Sequence, residues 1–194
     1  MVTLNNFVIV ALMLFIGLGS TTQTQPLPQA PSRPGLALTT TAFQDGGIIP
    51  NRYTSAAEGD AVSPRLTWTN VPDGTVTFAL VVRDSDTSIS RSLNEIVHWM
   101  IFNIPAKTRQ LPEGVAGLAH LTDGSVQALN HNNKIGYMGM AAKATGSYHH
   151  YTFELFALDT KLSLGPDVTQ SDLLKAINGH ILMKSVLVGR FHLP

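Results

Sequence analysis

Residues 77–82 read TFALVV, an apolar run with no polar break after Thr77. A strand that buries one face alternates apolar and polar residues. A strand covered on both faces reads as an unbroken apolar run of this length. Residues 97–104 (VHWMIFNI), stopped by Pro105, and residues 151–158 (YTFELFAL) repeat the pattern, and residues 181–191 (ILMKSVLVGRF) carry it almost to the end of the chain. Four such runs read as strands of a mostly β pattern. Leu66 to Trp68 and residues 36–43 are shorter candidates, set off by turn signals at Asp45-Gly46-Gly47 and Val71-Pro72-Asp73-Gly74. One helix is expected over residues 171–178. Thr169 or Ser171 is its cap, Asp172 sits at the positive end of the dipole, and Gly179 ends it. Strands do not alternate with helices, so a doubly wound parallel sheet is not expected. The fold class is mostly β (α+β).

Outside these runs the chain is bounded by its composition. The 194 residues carry no net charge and only 13% charged residues. Phosphate backbones are met by clustered Lys and Arg, and no basic run occurs here, so nucleic acid is not an expected partner. The absence of cysteine removes disulfides, thiolate nucleophiles, cysteine-ligated zinc and a lipid-bearing N-terminal cysteine together. Residues 7–18 (FVIVALMLFIGL) form an apolar run shorter than the roughly 20 residues a bilayer core needs. The run has the length of a signal-peptide core, with Gly17, Gly19 and Ser20 placed for cleavage, although residues 1–6 lack Lys and Arg. A buried N-terminal helix or strand is the competing reading. Residues 1–20 are therefore read as a signal peptide or uncleaved signal-anchor. Residues 21–35, rich in Thr, Gln and Pro, are read as a flexible linker, and residues 36–194 as the folded domain. The expected location is periplasmic or extracellular, with membrane contact only through the N-terminal segment if it is kept.

Chemistry-bearing side chains gather beside the apolar runs. Arg83-Asp84-Ser85-Asp86-Thr87 follows TFALVV, and its two acids suit either an Asx-type turn or a site at the sheet's end. His98 lies inside VHWMIFNI, where its ring must find a partner whether it serves the core or a ligand. Gly136-Tyr137-Met138-Gly139 opens a small-residue loop. In His149-His150-Tyr151, strand alternation puts His149 and Tyr151 on one side and His150 on the other.

Taken in order, these segments resemble the bacterial, Raf kinase inhibitor-like branch of the phosphatidylethanolamine-binding protein family. The resemblance rests on Ala42-Phe43-Gln44-Asp45-Gly46-Gly47, Ile49-Pro50 and Arg52-Tyr53-Thr54. It continues through Ser63-Pro64-Arg65-Leu66-Thr67-Trp68, residues 78–86 (FALVVRDSD), and His98-Trp99 with Phe102-Asn103-Ile104-Pro105. Gly136-Tyr137-x-Gly139, His149-x-Tyr151-x-Phe153 and Ala157-Leu158-Asp159 complete it. It implies a large antiparallel sheet packed on a smaller one, with one or two helices near the C-terminus. It also implies a small cavity for a phosphate-like anion or phospholipid head group. Carried over by position, that pocket comprises Asp84, Asp86, His98, His149 and Tyr151, with backbone amides around Met140, Ala141 and Ala142. An aspartate beside each ring would orient it and favour its charged form. No cofactor or metal is called for. Ser85, Thr87 and Ser88 stand where the family has Pro, Ala and Pro, and Met140, Ala142 and Lys143 replace prolines and glycine of its pocket loop, so these loops are expected to be less pre-organised. Lys143 either adds a positive charge or points into solvent.

Binding without turnover is the leading functional expectation. An inhibitor of a kinase or protease is the alternative. A metal-dependent hydrolase built on Asp84, Asp86, His98 and His149 is less favoured, because no His-x-x-x-His, Gly-x-Ser-x-Gly or Lys-Ser/Thr phosphate-loop motif is present.

Overall fold

The computed structural model describes residues 34–87 and 95–194. The signal segment, most of the expected linker and Ser88 lie outside the described residues. Among the described residues no helix is long and apolar enough to cross a membrane.

Four long strands form the centre of the large sheet: β4 (Thr77–Asp84), β5 (Ile96–Pro105), β8 (His149–Leu158) and β9 (Ile181–Phe191). Two short strands, β2 (Gly47–Ile48) and β7 (Val126–Gln127), complete the order β2-β9-β8-β4-β5-β7. A second sheet contains β1 (Ala37–Thr39), β3 (Leu66–Thr69) and β6 (Gln110–Leu111), with β3 in the middle. The large sheet is mixed rather than wholly antiparallel, because β2 runs parallel to β9 at one edge.

The unbroken apolar reading of β4 follows from its place. Phe78, Leu80 and Val82 pack between the sheets with Leu38, Leu66, Trp68, Phe153 and Leu155. Ala79 and Val81 face the other way, into a second core with Met100, Phe102, Phe156 and the helix residues Leu173 and Ile177. Burying a large apolar side chain contributes about 1.5–3 kcal/mol, so a strand clamped between two cores is well held. The helix α1 (Gln170–Ile177) is the one α-helix among the described residues and begins one residue earlier than expected. Thr169 caps it: its hydroxyl accepts from the Asp172 amide while the Asp172 carboxylate accepts from the Thr169 amide. Gly179, at φ +84°, ends it in the left-handed conformation open to glycine.

One irregularity positions the site. Val82 is opposite Trp99, but Arg83 is opposite Val97, so His98 is the extra residue of a β-bulge. Uniform alternation from Trp99 would send His98 to the helix-covered face. The bulge returns it to the face shared by Asp84 and Tyr151, which are direct register partners across β4 and β8.

Candidate binding cavity at the end of the large sheet

β4 ends where β5 and β8 begin, so one end of the sheet collects Asp84, His98, His149 and Tyr151. These four border a cavity of about 630 Å³, whose remaining wall includes Met138, Gly139, Ala141, Ala142 and Lys143. Gly139 lets this loop lie close to its neighbour. A Cβ there would stand 2.7 Å from the Ala61 Cβ and 2.8 Å from the Thr54 carbonyl carbon.

Asp84 is a scaffold. One carboxylate oxygen accepts from the Asp86 amide at 3.0 Å, and the other from the Thr87 hydroxyl at 2.9 Å and from His149 Nδ1 at 2.7 Å. The first contact is an Asx-type turn, so the structural and site readings of these acids describe the same residue. The ring bond fixes the orientation of His149 and leaves its Nε2 as the other polar atom. His149 stacks near Tyr151, with ring centroids 6.5 Å apart.

His98 is held differently. It is 2% exposed, its Nδ1 donates to the Met138 carbonyl at 3.0 Å, and its ring meets the Tyr151 ring edge-on at 5.1 Å. Its direct partner is a carbonyl, which corrects the expectation of an aspartate beside each ring. Burial pushes its pKa below the ordinary histidine value, against the opposing pull of the Met138 carbonyl and the Asp84 charge. Tyr151 is fully buried, and its hydroxyl accepts the Ala142 amide at 3.1 Å. Burial, and then the charge of Asp84, push the Tyr151 pKa up and keep its proton in place.

Two expected members lie elsewhere. Asp86 does not border the cavity. It turns outward and accepts from the backbone amide of His150 and from His150 Nδ1, the latter at 2.8 Å. Burial raises the Asp86 pKa, but those bonds and the His150 charge outweigh it and leave the value lowered. The cause is the turn itself: Asp84 is the last strand residue, and beyond it the chain no longer follows strand alternation. Met140 is buried in the core between the sheets, and its sulfur accepts from the Tyr137 hydroxyl at 3.1 Å. The Ala142 amide donates to the Tyr151 hydroxyl and the Ala141 amide also lies against it, which leaves Ala141 and Ala142 as walls of the cavity.

The sequence reading did not single out Ser55, His131 or Asn132, which also border the cavity. The polar run Asn130-His131-Asn132-Asn133 forms a turn, with Asn133 at φ +56°, and nothing in its residues points to this cavity. Lys143 is exposed and borders the cavity as well. Arg83 does not contribute its charge: it pairs with Glu95 and Glu154, each at 2.6 Å. Among the described residues, no three His, Asp or Glu side chains are grouped to share a metal ion.

Comparison with known proteins gives a consistent set of likenesses. The family model described as phosphatidylethanolamine-binding protein matches residues 39–192. A UPF0098 protein of Methanothermobacter thermautotrophicus is 40% identical over 154 residues, covering 79% of this chain and 97% of its own. YbhB of Escherichia coli, also a UPF0098 protein, is 37% identical over 121 residues, covering 60% of this chain and 74% of its own. Among solved structures, a phosphatidylethanolamine-binding protein homologue from Chlamydia trachomatis superimposes with a TM-score of 0.72 at 32% identity, covering 84% of this chain and all of its own. Escherichia coli YbcL gives 0.73 at 25% identity, covering 83% of this chain and all of its own.

Proposed function

The chain belongs to the phosphatidylethanolamine-binding protein family, and from that premise we propose that its cavity captures a phosphate-like anion or phosphorylated head group without turning it over. One observation carries the reading. Asp84, His98, His149 and Tyr151, spread over 68 residues of sequence, meet around one cavity at the end of the large sheet. His149 is aimed by Asp84 and, when protonated, offers an Nε2–H to an anion. The Tyr151 hydroxyl keeps a proton to donate, and Lys143 adds a positive charge at the wall. Such a set holds an anion without a cluster of Lys and Arg, in keeping with the neutral composition.

Capture suits this geometry better than turnover, because Asp84 spends both oxygens on fixing the wall. The test is calorimetric titration of the purified protein with inorganic phosphate and O-phosphoethanolamine, with phosphoester hydrolysis followed in parallel. Saturable binding and unchanged ester support the reading. Absence of binding, or steady hydrolysis, overturns it.

Export is a separate part of the proposal and rests on the apolar run at residues 7–18 and the linker after it. N-terminal sequencing of the protein from its own cells is expected to start near residue 20 or to find the intact segment in the membrane fraction. Full-length protein in the cytosolic fraction would remove export.

A further inference from the structure

His98 and Tyr151, both bordering the cavity, carry polar atoms of opposite character. His98 Nδ1 faces a carbonyl oxygen, which has no proton to give, so the nitrogen must be the donor. In the neutral ring this leaves Nε2 as a lone-pair acceptor. The Tyr151 hydroxyl oxygen already accepts the Ala142 amide, and no described residue accepts its proton, so it remains a donor. A bare dianion complements only the second atom and repels the first. A phosphate that retains one P–O–H group complements both: its hydroxyl donates to His98 Nε2 and its charged oxygens accept from Tyr151.

We infer that the cavity selects the singly protonated form of inorganic phosphate or a phosphomonoester over proton-free anions of the same shape. The inference rests on the anion-binding reading of the same cavity and narrows it from phosphates in general to those carrying a donor. The burial of His98 supports it, because a histidine with a lowered pKa stays neutral where an exposed one would charge. The charged and titratable groups around that ring are Asp84 from β4, His149 and Tyr151 from β8, and His131 and Lys143 from the loops. Asp84 favours a charged ring and His131 disfavours it, but burial is the larger influence.

The experiment is a calorimetric titration of the full chain with methyl phosphate, dimethyl phosphate and sulfate from about pH 5.5 to 8. A phosphomonoester loses its second proton near pH 6, whereas sulfate and dimethyl phosphate keep a constant charge and carry no proton. The sulfate curve therefore reports the protein's own titration, and the ratio of methyl phosphate to sulfate reports the ligand's proton. At the acid end we expect methyl phosphate to bind at least about tenfold more tightly than either control, the energy of one good hydrogen bond, and the ratio to shrink toward pH 8. Equal affinity for all three, or a ratio independent of pH, overturns this inference and leaves an anion site standing. No binding by any of the three overturns both.

Two further measurements keep the idea testable without relying on one variant. In the wild-type protein at neutral pH, nitrogen NMR of His98 should show a protonated Nδ1 and a bare Nε2. A protonated Nε2 contradicts the inference. His98→Asn retains an NH2 donor for the Met138 carbonyl and has no acceptor at the position of Nε2, so its preference for methyl phosphate over sulfate should fall to near one. A preserved preference contradicts it.

Discussion

His149 and His150 are neighbours in sequence, each bonded through Nδ1 to an aspartate two residues from the other's partner, at 2.7 Å and 2.8 Å. The chemistry of the two pairs is the same and their surroundings differ. The side chains of the His149–Asp84 pair are 28% and 5% exposed and border the cavity, while those of the His150–Asp86 pair are 52% and 41% exposed. Strand alternation in β8 separates the rings, and the end of β4 separates the acids. A solvated pair of this kind is worth at most about 1 kcal/mol. A buried carboxylate holding three donors cannot be removed so cheaply. The same two residue types therefore make a structural keystone in one place and a surface clasp in the other.

The largest contrast is expected at the acids. Asp84→Ala strands the Asp86 amide, the Thr87 hydroxyl and the His149 ring at once. It should lower unfolding stability by about 3 kcal/mol and phosphate affinity by more than tenfold. Asp86→Ala should cost under about 1 kcal/mol and leave affinity nearly unchanged. Urea unfolding and calorimetry of the two variants read both effects, and equal losses would erase the distinction between keystone and clasp.

Tyr151→Phe comes next. It removes the acceptor of the buried Ala142 amide and the donor aimed at the guest, for a stability loss of about 1–3 kcal/mol, again read by urea unfolding. At the rings, His149→Ala should weaken phosphate binding by about tenfold, equal to the roughly 1.4 kcal/mol of one charge-assisted bond. His150→Ala should leave the same calorimetric affinity within about twofold.

The smallest effect is one of pH. Burial lowers the His98 pKa in the folded protein relative to the unfolded chain, which titrates near about 6.5. Between the lowered folded value and that unfolded value the unfolded state binds more protons, so stability falls on acidification through this window and recovers as pH rises above it. His98→Asn should flatten that part of the urea-midpoint profile. An unchanged profile would assign the slope to other groups.

Much of the fold was legible because burial writes itself into composition. The largely apolar runs at β4, β5 and β8 belong to strands covered on both faces, and β9 spans the very residues read from the sequence. The parallel pairing of β2 was not legible, since a two-residue strand carries no periodicity of its own. Of the candidate site, His149 and Tyr151 could be placed on one face by alternation alone, while Asp84 joins them only through the register of β4 against β8. His98 could not, because alternation assigns it the wrong face and only the bulge between Val82 and Arg83 corrects it. Asp86 was misplaced for a related reason. Beyond the last paired residue of a strand, and within a loop, spacing in sequence no longer says which way a side chain turns.

The most direct test of the account is a histidine-ring NMR titration of the wild-type protein with O-phosphoethanolamine. The ring signals of His98 and His149 should move together and saturate at one affinity, while those of His150 and of the exposed His180, which is paired with Asp159 far from the cavity lining, should stay in place. Movement of His150 alone, or no saturable movement of His98 and His149, would contradict a cavity built to hold the anion.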